Sequence, residues 1–141
     1  ALAQRCVDQP ALPNWLGKVL PIEHTFAVDP ADFHRQLQDG SAAFLDRLVG
    51  QSFHVRVERR GHKGVINTQA TERALGEHLY TQLVARAASP VVKFIDPDLV
   101  VVVEVIGDMA GIGLVSRDLR QILRRFSAPM VCANAHRHYG C

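Results

Sequence analysis

Two stretches of this 141-residue chain carry side chains able to do chemistry. In the first, Arg56 and Glu58 are followed by Arg59, Arg60, His62 and Lys63, with Gly61 and Gly64 interleaved. Guanidinium groups grip phosphate oxygens bidentately, and glycine lets backbone N–H groups approach the same anion. The stretch therefore suits contact with a phosphate backbone; a solvated strand end is the plainer alternative. The second stretch is Cys132-x3-His136-x-His138-x2-Cys141, four side chains that tetrahedral zinc accepts. Structural zinc sites usually draw ligand pairs from separate elements, whereas these four crowd one terminus. A metal-free tail is the expectation, with zinc as the alternative.

Other groupings fail on spacing. Gly107-x3-Gly111-x-Gly113 leads into a strand rather than a helix, so it offers no helix N-terminus to a phosphate. Gly61-His62-Lys63-Gly64 lacks the spacing and the following hydroxyl of a P-loop. Asp96-Pro97-Asp98 reads as a turn. Glu104 falls in a strand, where it faces a sheet edge or pairs with an arginine. No nucleophile, base and acid converge, so neither catalysis nor a cofactor is expected. Further cations extend the basic footprint: Lys93, and Arg117, Arg120 and Arg124 on one helical face.

The bulk numbers fit a globular domain: 48% hydrophobic and 21% charged residues, with a net charge of only +2. Three cysteines, Cys6, Cys132 and Cys141, do not make a disulfide framework, which points to a reducing cytoplasm. The longest apolar run, Leu99 to Val103, is too short for a bilayer, and the start lacks a signal-peptide pattern. Ala1 at the first position reads as a processed chain or a fragment.

The elements that would position these residues can be read from periodicity. Pro21 confines any strand before Phe26 to an edge or a bulge. Asp29-Pro30 is the expected start of a helix ending at Asp39-Gly40, and Ser41 to Gly50 forms a second short helix. Phe53, Val55 and Val57 alternate with His54, Arg56 and Glu58, which marks a half-buried strand over Ser52 to Arg59. Asn67 or Thr68 caps a helix reaching about Ala87, with Leu75, Leu79 and Leu83 as its inward stripe. Leu99 to Ile106 is nearly all β-branched, as a strand buried on both faces would be, and Ala110 to Ser116 returns as its hairpin partner. Arg117 to Phe126 forms a last helix. Strand, crossover helix and buried strand imply a right-handed parallel βαβ unit extended by a hairpin.

With these elements in order, the chain resembles a THUMP domain from about Ser41 to Ser116. The resemblance is carried by Phe53-His-Val-Arg-Val-Glu-Arg-Arg-Gly-His-Lys-Gly64, by Glu72-Arg73-Ala74-Leu75-Gly76, and by Asp96-Pro97-Asp98-Leu99 running through Glu104 to Ala110-Gly-Ile112. Leu20-Pro21-Ile22 is similar to the lead-in of stand-alone members, among them the adaptor that assists tRNA cytidine acetylation. The resemblance implies an α/β (α+β) fold: a mixed sheet with a βαββ core preceded by two short helices. Residues 1–28 would be the remnant of an N-terminal ferredoxin-like part, residues 29–126 the THUMP-like domain, and residues 127–141 a tail. It further implies binding of structured tRNA, without catalysis, in support of a tRNA-modification enzyme. Arg56, Arg59, Arg60, His62, Lys63, Lys93, Arg117, Arg120 and Arg124 would contact the RNA. Two alternatives stay open: a scaffold whose basic face docks an acidic protein, and a zinc protein through Cys132, His136, His138 and Cys141.

Overall fold

The computed structural model describes residues 20–62 and 64–122. Its elements are β1 (His24–Ala27), α1 (Phe33–Ser41), a 3₁₀ turn (Ala42–Phe44), α2 (Leu45–Leu48), β2 (Ser52–Arg60), α3 (Thr68–Ala85), β3 (Val91–Val92), β4 (Leu99–Ile106) and β5 (Met109–Ser116). A helical segment, residues 117–122, follows. The strands form one mixed sheet in the order β1-β5-β4-β2-β3. β2 and β4 are parallel and joined by the crossover helix α3, while β4 and β5 form the expected hairpin. β4 is central, which is why its β-branched residues are buried on both faces.

One face of the sheet carries the main core. Phe53, Val55 and Val57 of β2 and Val101, Val103 and Val105 of β4 pack against Leu75, Leu79 and Leu83 of α3. Phe33 and Leu37 of α1 and Leu45 and Leu48 of α2 complete the layer. Full burial of each such side chain is worth about 1.5–3 kcal/mol. Asn67 caps α3 through its side-chain oxygen, which accepts from Ala70 N–H at 2.9 Å. Thr71, buried on the same helix, satisfies its hydroxyl on the Asn67 carbonyl at 2.7 Å.

The second face holds a smaller cluster, Val100, Val102 and Val115, covered by Leu20 and Leu119. Segment 20–22 crosses β5 here so closely that a Cβ on Gly113 would lie 1.8 Å from the Pro21 carbonyl oxygen. The glycines of β5 thus serve a backbone crossing. The segment then enters β1, which pairs antiparallel with β5 from His24↔Ile112 to Ala27↔Met109. Residues 24–27 are therefore part of this same sheet.

α1 differs from expectation at both ends. Residues 30–32 form a turn in which the Asp29 carboxylate accepts from Ala31 N–H at 3.1 Å, and the helix begins at Phe33. Gly40 lies inside α1 rather than ending it; a Cβ there would stand 3.0 Å from the His24 ring, so the glycine admits β1. β3, two residues long and pairing with Ser52 and Phe53, has no signal in the periodicity.

Candidate nucleic-acid interface

The register fixes where each candidate cation falls. Phe53, Leu99 and Ser116 align at one end of the sheet; Arg60, Ile106 and Met109 align at the other. Seven residue steps at about 3.3 Å separate the two ends by roughly 23 Å.

Arg59, Arg60 and His62 gather at the second end. Arg59 follows Val55 and Val57 onto the helix-bearing face and lines a cleft of about 320 Å³ with residues 64–69. Its Nη1 donates to the Gly61 carbonyl at 3.3 Å, and its Nε is buried with no acceptor among the described residues. Arg60 projects from the opposite face and is exposed. Among the described residues no carboxylate pairs with Arg59 or Arg60. His62 takes a left-handed backbone conformation, φ 51°, and its Nε2 lies 2.7 Å from the Gly107 carbonyl oxygen. Gly107 N–H in turn donates to the Arg60 carbonyl at 3.2 Å. The loop after β2 is thereby tied to the β4–β5 turn, and the cations sit on a braced strand end.

The other predicted contacts separate from this group. Arg56 lies further back along β2 and pairs with Glu58 at 3.0 Å. Lys93 stands at the far end of the sheet, where its N–H donates to the Phe53 carbonyl at 2.9 Å. Arg117 and Arg120 are also at the far end, turned onto the Asp96–Asp98 turn. Arg117 meets Asp96 at 3.1 Å and Asp98 at 3.2 Å. Arg120 approaches Asp96 at 3.7 Å and donates to the Val115 carbonyl at 3.3 Å and to the Pro97 carbonyl. Asp98 also accepts from Ser52 N–H and from its hydroxyl, bonds that, with Arg117, hold its carboxyl below the usual carboxylate range. These arginines join the turn before β4 to the segment after β5. They do not extend the basic end. Lys63, Arg124 and the set Cys132, His136, His138 and Cys141 lie outside the described residues.

Sequence reasoning missed two features of this end. One is the cleft wall from Gly64 to Gln69. The other is the exposure of Ile106 and Met109, at 57% and 49%, next to Arg60. Counting back from the Gly107-Asp108 turn would have found the second, because it pairs Ile106 with Met109. No helix among the described residues is long and apolar enough to cross a membrane.

A family model of the THUMP domain matches residues 35–115, more than half of the chain. No curated protein matches the sequence. Among solved structures the chain is similar to TrmN from Thermus thermophilus, at 26% identity and a TM-score of 0.52. That similarity covers 66% of this chain and 27% of TrmN. It is also similar to a 4-thiouridine synthetase solved as an RNA complex with bound ATP, at 17% identity and a TM-score of 0.49, covering 64% of this chain and 23% of that one. The chain thus spans well under half the length of either protein.

Proposed function

This chain belongs to the THUMP domain family, and on that premise we propose that it binds folded tRNA through the sheet end carrying Arg59, Arg60 and His62. A THUMP domain is an RNA-binding domain of tRNA modification. The observation that carries the assignment of the surface is the contrast between the two ends. The arginines of the far end are engaged by Asp96 and Asp98, whereas Arg59 and Arg60 have no carboxylate partner among the described residues. Guanidinium groups without a carboxylate partner can grip phosphate.

In this proposal the chain acts without catalysis of its own, in the cytoplasm, as an adaptor that holds tRNA for a modification enzyme. The exposed apolar run at the far end, Val91, Val92, Phe94 and Ile95, supports a partner surface separate from the RNA end.

Fluorescence anisotropy with labelled tRNA tests the RNA assignment. Competition by folded tRNA should exceed competition by heparin or by unstructured RNA at equal charge. Equal competition by all three would reduce the surface to a general polyanion site. Loss of both arginines, Arg59→Ala with Arg60→Ala, should weaken tRNA binding by about tenfold or more, with an unchanged melting profile.

A further inference from the structure

Among the described residues the sheet ends on one side at β3, the outer partner of β2. Lys93 N–H turns inward to the Phe53 carbonyl, so the N–H and C=O of Val92, one residue back, turn outward from the sheet. This edge is apolar on both faces. Val92 shares the face of Phe53, under α3, and Val91 stands on the opposite face. Phe94, set against the His54 ring at 6.0 Å between centroids, and Ile95 continue the run. A wall is added by α3. Its Glu72 reaches the outer edge of β2 to accept from Val57 N–H at 2.9 Å, and Gly76 stands over Val55. Four residues on, about 6 Å or two strand steps, Tyr80 comes level with Phe53 and so with Val92. Val84 follows on the same flank. All six of these apolar side chains are exposed.

We infer that two copies of the chain join at this edge, β3 against β3 across a two-fold axis through Val92. A two-fold contact uses the same patch on both sides, and this patch complements itself. The antiparallel register that sets Val92 opposite the partner's Val92 lets the two exchange N–H and C=O. It also sets Lys93 opposite the partner's Val91 and Phe94 opposite the partner's Pro90, so no like charges oppose each other. Pro90 has no N–H, which confines the backbone exchange to Val92 and leaves apolar burial as the larger part of the contact. An axis normal to the sheet keeps both α3 helices on one side of it, with Tyr80 of each copy at the joint. The six side chains expose roughly 500 Å² per copy. Paired, they bury roughly 1,000 Å² before any backbone is counted, which reaches the size of a specific interface. RNA suits this edge poorly, because Arg117 and Arg120 beside it are engaged by Asp96 and Asp98. The two β2 strands run in opposite directions, so the basic ends point away from each other and each stays open to its own RNA. The inference goes beyond the RNA assignment and does not depend on it.

Sedimentation equilibrium of the full chain with thiols kept reduced, from about 1 to 300 μM, tests this. The apparent mass should rise from 15.6 kDa toward twice that value. Val92→Glu sets two like charges face to face on the axis and should weaken the dimer at least about tenfold. Tyr80→Glu, at an exposed helix position, should do the same without touching the strand. Mixing Val92→Glu with Val92→Lys should restore the dimer, because the opposed charges then attract; misfolding of either variant gives no such rescue. A parent that stays monomeric throughout overturns the inference. So does a dimer that withstands both glutamate variants, or one that the mixture does not restore: the copies then join elsewhere, or the edge takes a different protein. Failure of the parent to bind tRNA would refute the RNA assignment and leave the dimer standing.

Discussion

Replacing Gly113 with alanine probes the crossing of segment 20–22 over β5. The new Cβ would lie 1.8 Å from the Pro21 carbonyl oxygen, 2.9 Å from its carbon and 3.3 Å from Ile22 Cα. All three are backbone atoms, so no side-chain rotation relieves the contact, and the segment must lift by more than an ångström. Overpacking of this kind costs about 1–3 kcal/mol. Lifting also loosens Leu20 from Val100, Val102 and Val115 and strains the 3.0 Å bond from Glu23 N–H to the Ile112 carbonyl. Partial loss of the Leu20 burial and of one hydrogen bond adds about 1–2 kcal/mol. The expected total is about 2–5 kcal/mol, equivalent to a fall in Tm of about 8–20 °C. Urea unfolding followed by circular dichroism measures it, with the midpoint falling and the m-value unchanged. Gly76→Ala is the matched control: its Cβ meets Val55 at an ordinary 3.9 Å, and helix propensity favours alanine by about 0.5–1 kcal/mol. If Gly113→Ala unfolds within about 0.5 kcal/mol of the parent, the segment does not lie across β5 and the account of the second face is wrong.

Three further outcomes follow from the ion pairs, the buried polar groups and the core. Arg117→Ala should lower the urea midpoint only slightly, because its pairs with Asp96 and Asp98 are screened by solvent, Asp96 keeps Arg120 and Asp98 keeps Ser52, while tRNA affinity measured by anisotropy stays within twofold. Burial holds the His54 pKa below the ordinary 6.5, so between the two values the unfolded chain binds more protons than the folded one. Stability should therefore fall as pH drops below about 6.5 and level off past the folded value, and His54→Gln should flatten that part of a urea-midpoint series. Leu79→Ala, at a fully buried position of α3, should cost about 2–5 kcal/mol in the same unfolding assay.

Strong periodicity made much of this fold legible. The alternation in Ser52 to Arg59, the Leu75-Leu79-Leu83 stripe and the β-branched run after Asp98 each describe burial, and burial is what the sheet and α3 provide. The parallel pairing of β2 with β4 followed from the helix between them. Gly40 was misleading because glycine marks both a helix end and a close approach, and here it admits the His24 ring. β3 escaped notice because two paired residues leave no period to read. At the site, Arg59, Arg60 and His62 were legible as a cluster, but their division between the two faces needed the register. Arg117 and Arg120 looked like an outward cationic face at helical spacing. Their partners, Asp96 and Asp98, lie about twenty residues earlier, and no local pattern links the two segments.

The central claim is that RNA is held by one end of the sheet and not the other. Salt dependence of tRNA binding tests it directly, since each phosphate contact removed lowers the slope of log K against log salt by about 0.7–0.9. The pair Arg59→Ala with Arg60→Ala should reduce that slope by about one to two, whereas Lys93→Ala with Arg117→Ala should leave it at the parental value. A reduction produced by the second pair and absent from the first would contradict the account.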